Sequence, residues 1–316
     1  MSTEQTHPPA IWAVGGGKGG TGKSFLAANL AVAVGAGDGR IVLIDADLGG
    51  PNLHTLLAVR DGDWDLGDFI KNRVSRLQDI AIPTPYPGLN LIRGGENALF
   101  LANLSHGKKL KLIRQIKSLP AERVIIDLGT GSAYNTLDLF VIAEPGIMVM
   151  TPETTAVENT YLFLKSCAVR ILKLYAHHFG IQGFAEAVGD ILEHPGGTVR
   201  GLIERLAVAD RSSGQILTAA LRSFKPRLVV NKVRGEKDVL LGRSIVDVVR
   251  KFFLVDLDLL GTIPYDERVD LSLRKFCPFL LEYPESGVSR AIRKMAERLT
   301  SPCELPGGKE NPTSRA

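Results

Sequence analysis

Residues 15–24 read GGGKGGTGKS and place six glycines, two lysines, a threonine and a serine in ten positions, directly after the apolar run 11–14. Glycine at this density costs conformational entropy when the chain becomes ordered, so the segment needs a compensating interaction. A bound anion would supply one, because glycine allows successive backbone N–H groups to turn toward a common centre. This stretch therefore restricts the fold more than any other.

The segment from Gly17 to Ser24 satisfies the pattern G-x-x-x-x-G-K-[ST]. It follows a predicted strand and begins a predicted helix, the context in which this pattern cradles nucleotide phosphates at a helix N-terminus. Lys23 is then expected to reach the β- and γ-phosphates, and the Ser24 hydroxyl to bind Mg²⁺. The predicted nucleotide-binding residues of the loop are Gly17, Gly19, Gly20, Thr21, Gly22, Lys23 and Ser24.

Short apolar runs alternate with longer helical patterns along the chain. Unbroken apolar runs are typical of parallel strands that are covered on both faces. The order strand, helix, strand predicts an α/β fold with a doubly wound, mostly parallel sheet and helices on both faces. The predicted strands are 11–15, 40–45, 89–92, 123–127, 146–150, 227–231 and 257–262.

We expect residues 1–300 to form a single domain of this fold, interrupted by a helical insertion at about 180–225. The segment RGLIERLAVADR within the insertion carries mixed charge and is a candidate partner surface. Residues 301–316 are rich in proline, glycine and polar residues, which predicts a disordered tail.

Charge and cysteine content indicate a cytoplasmic protein. The net charge of +4 is small for 316 residues, which argues against a general binder of nucleic acid. The first ten residues lack the pattern of a signal peptide, and no apolar run reaches the roughly eighteen residues that span a bilayer. The three cysteines are far apart and form no C-x-x-C pair, as expected of reduced thiols.

Two further strands end in aspartate. The run RVIID ends at Asp127, where a carboxylate typically holds Mg²⁺ through water in nucleotide hydrolases. The run IVLIDAD carries Asp45 and Asp47, which could serve either the metal site or a helix N-cap. Lys18 is a second cation within the loop, so it requires nearby negative charge, solvent, or a nucleotide held by another subunit.

The stretch GGKGGTGKS resembles the deviant Walker A box of the MinD/ParA/Mrp superfamily of ATPases, in which Lys18 takes the place of the signature lysine. The resemblance runs from about residue 11 to 299 outside the insertion. It implies ATP and Mg²⁺ as cofactors and an ATP-dependent homodimer in which the lysine of one subunit contacts the phosphates held by the other. Hydrolysis is expected to be slow until a partner completes the site.

Further residues match the family's motifs. Asp47 corresponds to the aspartate that orients or activates the lytic water, and Asp45 to the one that helps hold the magnesium shell. Asp127 and Gly131 fall in the switch II segment, which here reads DLGTG and lacks the usual proline. The remaining matches are the base-recognising Asn231, the weaker base contacts Pro264 and Arg234, and the Pro152-Glu153 turn.

The resemblance is strongest to the MinD and FlhG branch, which positions division or flagellar machinery. That branch carries an amphipathic helix for membrane attachment. The apolar stripe Val288, Ala291, Ile292, Met295, Ala296 and Leu299 fits such peripheral contact at the inner face of the membrane or, more commonly, packing on the chain's own sheet.

Three alternatives remain at this point. An iron–sulfur carrier of the Mrp type would need paired cysteines. A DNA-partitioning protein of the ParA type would need a basic patch, for which the solvated residues 108–117 are weak candidates, so DNA is not the expected partner. A nucleotide-gated scaffold with negligible turnover would act through an unidentified protein partner.

Overall fold

The computed structural model describes residues 7–36, 39–47, 50–59, 62–95, 104–193 and 197–301. The tail predicted to be disordered lies outside the described residues from position 302 onward. The domain boundaries proposed above stay predictions.

An eight-stranded sheet forms the centre of the fold, in the order β3-β4-β2-β5-β1-β6-β7-β8. Neighbouring strands are parallel except β3, which pairs antiparallel with β4 at one edge. The predicted doubly wound α/β architecture is confirmed. The strands are β1 Ala10–Gly15, β2 Ile41–Ala46, β3 Ile82–Pro83, β4 Leu89–Ile92, β5 Arg123–Leu128, β6 Gly146–Met150, β7 Arg227–Val233 and β8 Asp258–Pro264.

Apolar side chains cover both faces of the sheet, as unbroken apolar strands require. Every residue of β2 and β6 is buried. The helices are α1 Lys23–Gly35, α2 Leu53–Leu56, α3 Leu66–Ile70, α4 His106–Lys117, α5 Tyr134–Val141, α6 Thr154–Phe179, α7 Phe184–Glu193, α8 Val199–Ala209, α9 Arg211–Ser223, α10 Glu236–Phe253, α11 Arg268–Arg274, α12 Phe279–Glu282 and α13 Gly287–Thr300.

The helices divide into two layers. Helices α1, α2, α12 and α13 contribute to the core on one face of the sheet. Helices α3 to α10 contribute to the core on the other face, where Phe140 and Phe163 meet edge to face with ring centroids 5.0 Å apart. Helices α7, α8 and α9 occupy the segment between α6 and β7, and Gly180, which follows the last residue of α6, has the left-handed conformation.

The register of the parallel strands brings the two aspartate-bearing strands together. Asp45 of β2 lies opposite Asp127 of β5, and Val14 of β1 lies opposite Asp127 on the other side. The glycine-rich loop that follows β1 therefore begins close to both carboxylates. It lies at the carboxyl ends of the strands, where sheets of this kind bind ligands.

The amphipathic pattern of α13 is explained by packing within the chain. Val288, Ile292 and Met295 are buried, and α13 packs on α1 and β8. On the outer side, Arg298 donates to the carbonyl oxygen of Leu259 at 3.0 Å. No helix in the described part of the chain is both long and apolar enough to cross a bilayer.

Asn29 connects α1 to the start of α12. Its side-chain amide donates to the carbonyl of Phe25 at 2.9 Å, and its oxygen accepts from the N–H of Leu280 at 2.9 Å, in a fully buried setting. Asn29→Ala should reduce the free energy of unfolding by about 1–3 kcal/mol in urea titrations, because it leaves a buried donor unpaired.

The exposed Ser244 serves as the control, since its hydroxyl also donates to the carbonyl four residues earlier, at 3.1 Å. Ser244→Ala should change stability by less than about 0.5 kcal/mol, because water replaces the lost bond. Equal losses in the two variants would contradict the bridging role of Asn29.

Candidate functional site

The loop between β1 and α1 requires glycine at two positions for different reasons. Gly22 precedes α1 in the left-handed region, with φ 94°, and a Cβ there would lie 2.3 Å from Nδ2 of Asn231. A Cβ on Gly17 would lie 2.1 Å from the carbonyl oxygen of Asn159 on α6. The loop is therefore held tightly from two sides, by β7 and by α6.

Lys23 closes this loop from the first turn of α1. Its side chain is buried, and its Nζ donates to the carbonyl oxygen of Lys18 at 3.1 Å. Burial lowers the pKa of the ammonium, whereas the nearby carboxylates of Asp127 and Asp47 act to raise it. A polyanion entering the loop would favour the charged form of Lys23, as expected for a residue that binds phosphates.

Asp127 is a buried carboxylate that could still accept a further ligand. Its side chain is 1% exposed, and burial, with further contributions from Asp45 and Asp47, raises its pKa to about 8. The Ser24 hydroxyl hydrogen-bonds to this carboxylate, while Oδ1 has no hydrogen-bond partner among the described residues. An unpaired buried carboxylate oxygen beside a hydroxyl is a donor set that suits Mg²⁺. Ser24 and Asp127 thus fit the predicted metal site.

Asp45 has a structural function in this arrangement. Its Oδ1 accepts from the N–H of Asp47 at 3.2 Å, and its Oδ2 accepts from the N–H of Leu53 at 3.0 Å. Burial raises the pKa of Asp45 to about 7. The carboxylate anchors both ends of the segment that carries Asp47, and its predicted place in the magnesium shell stays a prediction.

Asp47 lies against the segment that follows β5. A Cβ on Gly129 would be 2.8 Å from Oδ1 of Asp47, so glycine permits this close approach. The same carboxylate acts electrostatically on Lys23 and Asp127. The structure therefore groups Lys23, Asp127 and Asp47, three of the residues predicted from separate motifs. The role of Asp47 toward water stays a prediction.

Lys18 is bound within its own chain. Its Nζ donates to Oε2 of Glu153 at 2.6 Å and to Oγ1 of Thr155 at 2.7 Å, at the start of α6. Lys18 lowers the pKa of Glu153. The lysine and glutamate side chains are 32% and 60% exposed, so solvent weakens this ion pair. The sequence motif predicts a turn at Glu153 but gives no sign of its pairing with Lys18.

Asn231 braces the loop from β7. Its amide donates to the carbonyl of Thr21 at 2.8 Å, and its oxygen accepts from the N–H of Lys232 at 2.8 Å. Pro264 ends the neighbouring strand β8 and is exposed. Beside it, the guanidinium of Arg234 lies 3.8 Å from the ring centroid of Tyr265. The base-binding roles of Asn231, Pro264 and Arg234 stay predictions.

The cysteines show no paired arrangement in the part of the chain that the structure describes. Cys167 is buried in the core on α6, and burial raises the pKa of its thiol. Cys277 is half-buried near α12, and Cys303 lies outside the described residues.

Two glycine variants test the close packing of the loop. Gly22→Ala should reduce the stability of the ligand-free protein by more than about 2 kcal/mol, because it adds a clash with Asn231 to the left-handed strain. Gly20 also has a left-handed conformation, with φ 74°, but a Cβ there would meet no atom within 4 Å. Gly20→Ala should therefore cost only about 1–2 kcal/mol. A larger loss for Gly20→Ala in thermal unfolding would contradict this geometry.

The two buried aspartates should differ in how much stability the protein gains when they are neutralised. Because the pKa of Asp127 is about 8 in the folded chain against 3.8 ordinarily, the folded state holds the proton more tightly. Its contribution therefore makes the ligand-free protein less stable as pH rises from about 4 to about 8. Asp127→Asn should raise the unfolding free energy at pH 8 by at least about 1 kcal/mol.

Asp45→Asn is the matched variant at the neighbouring strand. It removes a charge whose burial raises the pKa of Asp45 to about 7, but it also turns one acceptor into a donor that faces a backbone N–H. Asp45→Asn should therefore stabilise the protein at pH 8 by at least about 1 kcal/mol less than Asp127→Asn does. Urea unfolding of both variants without nucleotide or Mg²⁺ measures the contrast. If Asp127→Asn lowered the unfolding free energy instead, the charge of Asp127 would be well compensated in the ligand-free protein, and the prediction would be wrong.

Comparison with known proteins gives consistent results. The antiactivator FleN of Pseudomonas aeruginosa is 24% identical over 301 residues, which cover 93% of this chain and 88% of that protein. An iron–sulfur cluster carrier protein of Synechocystis is 28% identical over 163 residues, 49% of this chain and 44% of that protein. The septum site-determining protein MinD of Pyrococcus horikoshii, solved in complex with Mg-ADP, superposes with a TM-score of 0.62 at 20% identity and covers 92% of this chain and 96% of that one.

The sequence model of the CobQ/CobB/MinD/ParA nucleotide binding domain matches residues 12–276, which include the loop, both aspartate-bearing strands and Asn231. The expectation of a nucleotide and Mg²⁺ as the family's cofactors is confirmed by this match and by the Mg-ADP of the solved relative. The chain belongs to the MinD/ParA family of nucleotide-binding proteins.

Proposed function

We propose that the protein is an ATP-hydrolysing switch that dimerises when it binds ATP and regulates the positioning or assembly of a cellular machine through a protein partner. The observation that carries the proposal is the position of Lys18. Lys18 is a second lysine in the phosphate loop, and an exposed ion pair with Glu153 holds it at the rim of the site.

The roles of the other residues follow from their positions. The loop N–H groups and Lys23 bind the phosphates, and Ser24 and Asp127 hold Mg²⁺, which when bound neutralises charge on the phosphate oxygens. Asp47 is half-buried beside Gly129, from where it orients the attacking water. Asp45 keeps Asp47 in place through its two backbone hydrogen bonds.

The contact of Lys18 with Glu153 supports the dimer because it is easily exchanged. An exposed ion pair contributes little to stability, whereas the phosphates of a nucleotide carry several charges in a less hydrated setting. Phosphates presented by a second subunit therefore compete well for Lys18. Dimerisation would exchange the contact of each Lys18 with Glu153 for one across the interface.

The regulatory task is proposed from the relatives. One is named an antiactivator and another a septum site-determining protein, and both match over about nine-tenths of this chain. The iron–sulfur carrier matches over only 49% of the chain, and Cys167 is buried in the core without a second cysteine paired to it among the described residues. We therefore favour a switch over a metal-cluster carrier.

Molar mass in solution tests the dimer. Asp47→Ala is used to block turnover and should behave as a monomer with ADP and as a dimer with ATP·Mg²⁺, measured by light scattering. Adding Lys18→Ala should abolish the ATP-dependent dimer, because the cross-subunit contact is lost. A mass that does not depend on the nucleotide would contradict the proposal.

Glu153→Gln, also in the Asp47→Ala background, tests whether the ion pair of Lys18 with Glu153 competes with the dimer contact. This variant keeps Lys18 but removes the charge of its present partner, so the dimer should form at an ATP concentration equal to or lower than before. If Glu153→Gln abolished the dimer as Lys18→Ala does, the ion pair would be part of the dimer instead of a competitor to it.

A further inference from the structure

Two adjoining cavities open on the face built by α4, α5 and α6. Their volumes are about 650 Å³ and about 330 Å³. Tyr134, Arg170 and Lys173 line both cavities, and Tyr134 stands between them. Together the two are large enough to receive several side chains of an extended peptide.

The lining of both cavities is strongly basic. Lys109 lines the larger cavity, Lys165 the smaller, and Arg170 and Lys173 line both. No aspartate or glutamate occurs among the described residues that form these walls. A concave surface lined by one sign of charge concentrates ligands of the opposite sign.

Asp138 lies beneath this surface and fixes two of its cations. Nε of Arg170 donates to Oδ1 of Asp138 at 2.5 Å and Nη2 to Oδ2 at 3.0 Å, and Lys109 also contacts Oδ2. The Asp138 side chain is only 7% exposed. Asp138 therefore neutralises one of the four positive charges and fixes the side chains of Arg170 and Lys109. The surface as a whole stays positively charged.

The same surface offers exposed aromatic and apolar groups. Tyr134 is 60% exposed, with the guanidinium of Arg170 5.3 Å and the ammonium of Lys173 5.9 Å from its ring centroid. Leu162, which lines the smaller cavity, is 56% exposed. Acidic side chains interspersed with apolar ones match this combination better than a bare inorganic anion does.

Nucleic acid matches it less well. Binding to a phosphate backbone needs a row of free cations along one surface. Here Lys109 is committed to Asp138, and Lys111 on the same helix donates to Oδ1 of Asn72 and lies 4.6 Å from the ring centroid of Phe69. The basic residues of α4 therefore do not form a continuous row.

We propose that these cavities bind an acidic, leucine-containing segment of a protein partner, with Lys165 and Lys173 meeting its carboxylates and Tyr134 and Leu162 its apolar side chains. Arg170, which Asp138 holds, adds positive charge to the wall. This deepens the proposed function by naming the chemistry of the partner, and rests on it only for the claim that the partner is regulated. Ser132 and Tyr134 line the cavities a few residues beyond Asp127 and Gly131, so the occupant touches the continuation of the metal-binding strand.

The test measures binding of a fluorescein-labelled hexapeptide of alternating glutamate and leucine by fluorescence anisotropy, with the full chain and without nucleotide. We expect saturable binding with Kd below about 1 mM. Lys173→Glu and, separately, Lys165→Glu should weaken it about tenfold or more, because each reverses a charge in the site. The control Lys117→Glu, on an exposed position of α4 outside both cavities, makes the same change in net charge and should leave Kd within twofold.

Several results would overturn the proposal. These are no binding below about 1 mM, equal weakening by Lys117→Glu, or undiminished binding of a peptide with glutamine in place of glutamate. Binding of a single-stranded oligonucleotide that requires Lys173, in the absence of peptide binding, would also overturn it. Thermal unfolding shows that each variant is folded. Because no nucleotide is present, the result is independent of whether ATP causes dimerisation.

Discussion

The crowding of carboxylates at the ends of β2 and β5 is the constraint on which the site depends. Parallel register puts Asp45 directly beside Asp127, and the turn after β2 adds Asp47. Like charges in a buried setting repel, and each neutralises itself by binding a proton, a hydrogen-bond donor or a cation. Asp45 takes two backbone N–H groups, whereas Asp127 keeps one oxygen unpaired among the described residues. That difference suits Asp45 to anchoring the chain and Asp127 to the metal-binding role proposed for it.

Much of the fold could be predicted from the sequence because its signals are local. The predicted strand 89–92 and the predicted strand 146–150 have the observed bounds, and the remaining predicted strands differ by one or two residues at their ends. Strand β3 was not predicted, because two residues that include Pro83 give no period to detect and proline is confined to sheet edges.

The site was predictable only in part, for the same reason. Gly17 to Ser24 and Asp127 belong to short motifs, so their chemistry is visible in a few neighbouring letters. The contact of Lys18 with Glu153 joins residues 135 apart, and that of Asn231 with Thr21 joins residues 210 apart. No local pattern encodes such contacts. The periodicity of α13 predicts an amphipathic helix, as observed. It could not distinguish a lipid surface from a protein core, because either one can cover an apolar stripe.

Lys18 is held at both ends. Its carbonyl accepts from the ammonium of Lys23, while its own ammonium is held by Glu153 and Thr155. The two lysines are thus links of one chain that runs from the buried end of the loop to the first turn of α6. A ligand that draws the Lys23 ammonium away from that carbonyl removes one contact of Lys18, whose carbonyl also accepts from the Thr21 hydroxyl at 3.4 Å. Filling the interior of the loop therefore acts on the backbone at its rim, while the side chain of Lys18 keeps its own contacts with α6.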